Sequence, residues 1–180
     1  NRFIKGITFD TASVGSFVIG STGGNLLQLD QGGSIVMNAA VTSSQVVNNP
    51  VQIRAQSSFN PTYTLSNNAT DSNATLTIGG SLATNSSTGR GVNWTLGGSN
   101  TGNNLVTGAL GGGGSGGFSG LIKNGTGTWK LTASNTLPSV AINDVGGQST
   151  TDAGTAAVGD ALLSPGTVSV TGGVEDVTAG

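Results

Sequence analysis

A parallel β-helix, an all-β solenoid, is the fold class this sequence predicts, and three observations carry the prediction. Short apolar-polar-apolar triplets recur along the 180 residues, and strict alternation is the mark of a strand with one face buried. Clusters of Gly, Ser, Thr and Asn separate the triplets, the residue types that accept positive φ or make local turns. Charge is scarce: 8% of residues are charged, against roughly a quarter in an average soluble domain.

The triplets, in order, are Ile7-Thr8-Phe9, Leu27-Gln28-Leu29, Val51-Gln52-Ile53, Tyr63-Thr64-Leu65, Leu76-Thr77-Ile78, Trp94-Thr95-Leu96, Trp129-Lys130-Leu131 and Val168-Ser169-Val170. Each directs two apolar side chains inward and a polar one outward. Less polar variants lie between them: Phe17-Val18-Ile19, Ile35-Val36-Met37 and Val140-Ala141-Ile142. β-Branched and aromatic residues suit strands, and the 3.6-residue helical pattern is almost nowhere visible. Sandwiches and barrels use longer strands and a charged exterior. Very short strands with uneven turns suit a coil that climbs about 4.8 Å per circuit. Equivalent residues then stack, so Asn and Thr form ladders, like charges repel, and glycine fits the corners.

The expected organisation is β-helix rungs over 1–142, an insertion or protruding loop over 143–166, and a terminal strand and tail over 167–180. A glycine-rich loop is expected within Gly108 to Gly120, "GALGGGGSGGFSG", with the next strand starting at Gly120.

Composition also bounds function. His and Cys are both absent, which removes the imidazole base, the thiol nucleophile and the usual zinc ligands. Six basic residues are scattered, and the pI is 4.6, so the electrostatic footprint of a nucleic-acid binder is missing. Mean hydropathy is +0.05 and net charge −2, unlike the polar, highly charged balance of disordered chains.

Carboxylates are what remain for hydrolytic chemistry. Asp10 and Asp30 lie twenty residues apart, a spacing that a single coil turn would bring onto one face, as glycoside hydrolysis by two carboxylates needs. Their placement at strand ends, in "TFD" and "QLD", reads better as turn chemistry, since no basic residue or second acidic pair accompanies them. Asp144, Asp152 and Asp160 are the oxygen donors a calcium ion would use. Trp94, Trp129, Tyr63, Phe59 and Phe118 could stack on sugars if exposed. The two tryptophans open inward-facing triplets and so read as core, whereas Phe59 and Phe118 read as loop residues. No catalytic residue, metal ligand or cofactor is assigned.

The stretch Gly120 to Thr136, "GLIKNGTGTWKLTASNT", resembles the autotransporter-associated β-strand repeat of bacterial surface proteins, Gly-Leu-x-Lys-x-Gly-x-Gly-Thr-Leu/Trp-x-Leu-x-Gly-x-Asn-Thr-Tyr. Gly120, Leu121, Lys123, Gly125, Gly127, Thr128, Trp129, Leu131, Asn135 and Thr136 match in register. Ala133 replaces a glycine and Leu137-Pro138 the tyrosine. The resemblance implies a right-handed parallel β-helix, extracellular or on a bacterial cell surface, often within a longer chain. It implies no particular activity.

The expected function is a non-enzymatic structural or adhesive module, a component of a stalk, sheath or filament. Its expected partners are neighbouring β-helix segments or identical subunits end to end, with surface glycans as further ligands and no nucleic acid. The alternative is a polysaccharide-processing or carbohydrate-binding β-helix using surface carboxylates and aromatics. Both chain ends read as strand rather than as a capping helix, so end pairing is expected.

Overall fold

The computed structural model describes residues 3–53, 62–84, 92–110, 118–133, 135–143, 149–158, 160–164 and 167–171. Those residues form strands and turns, without helix, in a parallel β-solenoid of about 4 turns. Each of the eight alternating triplets lies in a strand, whereas Phe17 precedes β2.

Three faces make one circuit. The first stacks β1 (Ile4–Phe9), the second half of β3 (Leu27–Met37), β6 (Thr62–Asn67), β9 (Val92–Gly97) and β11 (Phe118–Asn124). The second stacks β2 (Val18–Ile19), β4 (Gln45–Val47), β7 (Leu76–Ile78), β10 (Asn104–Val106) and β12 (Trp129–Leu131). The third stacks the first half of β3, β5 (Val51–Ile53) and β8 (Leu82–Thr84), ending in a bridge from Leu82 to Leu110. All these pairings are parallel, because each coil returns to the same face running the same way.

In-register stacking turns sequence triplets into interior columns. On the first face Ile7, Ile35, Leu65 and Leu96 align, and Tyr63, Trp94 and Leu121 form a second column. The Tyr63 and Trp94 rings lie 5.7 Å apart at 47°, a tilted arrangement that adds to their area burial. Ile19, Val47, Ile78, Val106 and Leu131 align on the second face. Leu27, Val51 and Leu82 align on the third. From the second coil on, these columns are fully or almost fully buried. Outside, Gln28 donates to Gln52 at 2.8 Å, an amide ladder between uncharged side chains.

Beyond β12 the pattern changes. Strand β13 (Asn135–Asn143) still runs parallel to β11. Strand β14 (Ser149–Val158) then pairs antiparallel with β13, β15 (Asp160–Ser164) antiparallel with β12, and β16 (Thr167–Thr171) antiparallel with β15. Range 143–166 thus contains two strands added to the two sheets. The register slips between Leu137 and Ser139, at Pro138, which has no backbone N–H for a ladder. Phe118 opens β11 instead of lying in the loop, since the strand begins two residues before Gly120. The glycine-rich run 111–117 and Phe59 lie outside the described residues.

Candidate functional site

The chain turns from the first face to the second at one corner per coil, and this corner holds the buried asparagines Asn67, Asn100 and Asn104. Asparagine shapes it. Asn67 ends β6 and is buried; its amide nitrogen donates to Ala74 O at 2.8 Å and to Asn104 Oδ1 at 2.7 Å, and its oxygen accepts from Ala69 N at 2.9 Å. One coil on, Asn100 donates to Ala69 O and Asp71 O, both at 2.8 Å. Asn104 accepts from Leu76 N at 2.9 Å and donates to Thr128 O at 2.9 Å. Three successive corners are thereby tied through amides that both give and accept, which suits buried backbone groups that strand pairing cannot reach.

The same corner needs glycine at two stacked positions. Gly98 has φ +100, and a Cβ there would lie 1.9 Å from Asn67 O. Gly125 has φ +82, and its Cβ would lie 2.6 Å from Gly98 O. Backbone stacks on backbone, so side chains are excluded. Over these glycines lies an open groove of about 310 Å³, lined by Asn68, Gly98, Ser99, Asn124, Gly125 and Thr126. Among the described residues the side chains of Ser99, Asn124 and Thr126 make no hydrogen bond, while Asn68 donates to Ser66 Oγ.

Bonded to the groove's Gly125 is the one charged side chain in the described core. Lys123 stacks on Leu96 in the first-face column and is 0% exposed. Its Nζ donates to Gly125 O. Burial lowers its pKa from 10.5 to about 8, because desolvation penalises the charged form.

The carboxylate pair considered from sequence does not assemble. One circuit separates Ile35 from Leu65 and Leu65 from Leu96, so twenty residues fall short of a turn. Asp10 follows the first-face strand β1, while Asp30 sits where β3 bends from the third face to the first. Asp152 lies opposite Val140 and Asp160 opposite Thr171, on strands of different sheets. Asp144 lies outside the described residues. Among the described residues, no three His, Cys, Asp or Glu side chains group as a metal site. Trp94, Trp129 and Tyr63 are fully buried in the core, which withdraws them from sugar stacking.

Sequence reasoning passed over Asn67, Asn104 and Lys123 because it sought apolar residues at inward positions. The signal was spacing: Asn104 falls where Leu76 falls one coil earlier, and Lys123 where Leu96 does. Comparison with known proteins finds no family model, curated relative or solved structure that matches this chain.

Proposed function

We propose that this chain is a non-enzymatic structural or adhesive β-solenoid module of a bacterial surface or secreted protein, and that it joins neighbouring coils or identical subunits end to end. The first coil carries the reading. Ile4, Phe17, Val18 and Leu26 are 37%, 52%, 67% and 52% exposed and are the exposed large hydrophobics of the described residues. Phe9 and Phe17 stack at 6.5 Å. Strand β1 pairs with β3 and β2 with β4, each on one side, so this end offers strand edges and apolar surface together, the combination that adds further strands. The Gly120 to Thr136 resemblance supports the bacterial surface setting.

Sedimentation velocity across a concentration range tests it. Self-association that Phe17→Ser with Val18→Ser abolishes is expected, and a wild-type chain that stays monomeric at high concentration removes the identical-subunit form. Capture of a separate β-solenoid segment at the same end would then be the remaining form to demonstrate.

A second reading, glycan binding, is favoured by the groove at the Asn68, Ser99 and Asn124 corner, where polar residues of successive coils line one opening. A glycan array on the intact chain tests that reading.

A further inference from the structure

A lysine is almost never fully buried unless its charge is paired, yet Lys123 has a single carbonyl partner for three donor hydrogens. Its column neighbours are apolar. The strands flanking β11 carry no titratable residue in their sequences: Val92–Gly97 on one side and Asn135–Asn143 on the other. Lys130 occupies the outward position of β12. Asp71, at the same corner two coils below, already accepts from Asn73 N at 2.8 Å and from its amide at 3.0 Å. Asp152 lies opposite Val140 in β14, and Asp144 follows β13 in the sequence. Within the described residues the ammonium therefore donates to the carbonyl of Gly125, a residue of the groove wall, and no carboxylate partners it; Asp144 lies outside the described residues.

A positive charge in a low-dielectric setting raises the affinity of whatever anion approaches from the open side. The groove supplies that side, and its lining is uncharged and rich in hydrogen-bonding groups. We propose that this groove binds the carboxylate of an acidic saccharide, with the Lys123 ammonium supplying charge and Asn68, Ser99, Asn124 and Thr126 meeting the sugar hydroxyls. The inference rests on the glycan-binding reading and names its substrate class. Charge comes from one coil and hydrogen bonds from three, so the ligand lies along the solenoid axis.

The amine is half-ionised near pH 8, which gives the interaction a recognisable signature. Binding an anion favours the protonated form, so affinity is full below about pH 8 and declines as the free amine deprotonates above it.

The test is an amide NMR titration of the 180-residue chain with a hexuronate trisaccharide, its neutral hexose counterpart and sodium acetate. The acidic sugar is expected to shift the Ser99, Asn124 and Thr126 resonances and to bind about tenfold tighter than the neutral one, the scale of one partly screened charge interaction. Between pH 7 and 9 that preference should vanish in the wild type. Lys123→Met suits an apolar column and should fold; it is expected to bind the two sugars equally at every pH. Ser99→Trp fills the groove without reaching the amine and should abolish both. Equal binding of acidic and neutral sugars by the wild type overturns the inference and leaves the glycan reading standing. Binding of neither sugar overturns both. Acetate binding as tightly as the trisaccharide overturns the saccharide assignment, and a Lys123→Met protein that keeps the acidic preference removes the lysine's role.

Discussion

Two tryptophans on different faces of the solenoid show how much a single hydrogen bond matters at the residue scale. Both are fully buried, but Trp129 Nε1 donates to Gly97 O at 3.0 Å while Trp94 Nε1 has no partner among the described residues. Replacing either with Phe opens a comparable cavity. Only Trp129→Phe also strands a buried carbonyl, so it is expected to cost about 1–2 kcal/mol more than Trp94→Phe in urea unfolding. Lys123 supplies a second residue-scale prediction. Its folded pKa is lowered to about 8 from 10.5, so between these values the unfolded chain binds more protons than the folded one. Stability therefore rises with pH across that window, and the full penalty stands below pH 8. Thermal melts of Lys123→Met should show a higher Tm than wild type at pH 7 and a flatter dependence from pH 8 to 10.

Elements in this fold are too short to stand alone. Strands such as β4, β7, β8, β10 and β12 have 3 residues each, and they persist because each is paired with strands of neighbouring coils, on both sides for β4, β7 and β10. Corner chemistry consequently governs element stability. Asn104→Ala leaves Leu76 N and Thr128 O without their amide partner, with an expected cost of about 2–4 kcal/mol for two buried groups. Gly98→Ala forces a Cβ against Asn67 O at a left-handed backbone position, and its expected cost is about 3 kcal/mol or more. Chemical denaturation of both variants checks these values. An unchanged midpoint for Gly98→Ala would mean that the coils do not stack in the register described.

At the scale of the whole molecule the described residues share one continuous core, and the apolar residues of the first coil are less buried in it than those of the coils that follow. Ile7, Ile19 and Leu27 pack only partly buried against that core, whereas their column successors Ile35, Val47 and Val51 are fully buried. Environment-sensitive dye should therefore bind the native protein at this end. Phe17→Ser with Val18→Ser is expected to reduce dye fluorescence at least about twofold while shifting Tm little, because exposed apolar side chains contribute little to burial energy. A dye signal unchanged by that double substitution would locate the exposed apolar surface elsewhere.

Much of this was legible from the residues alone. Alternation in the eight triplets determined strand after strand, and the lack of charge determined that strands stack on like strands, since a ladder brings equivalent side chains within about 5 Å. That local information also placed Trp94 and Trp129 in the core. Tertiary structure decided what depends on coil length: that Asp10 and Asp30 stay apart, and that Asn67, Asn104 and Lys123 take interior positions a hydrophobic pattern skips. It also decided that the final strands reverse to antiparallel pairing beyond β13. The physical reason is that alternation reports only which side of a strand is buried, whereas the residue lying above or below it is set by the length of every corner in the circuit. Corners rich in Gly, Ser and Asn leave that length almost unconstrained by sequence, and the register is chosen only when the whole coil closes on its neighbour.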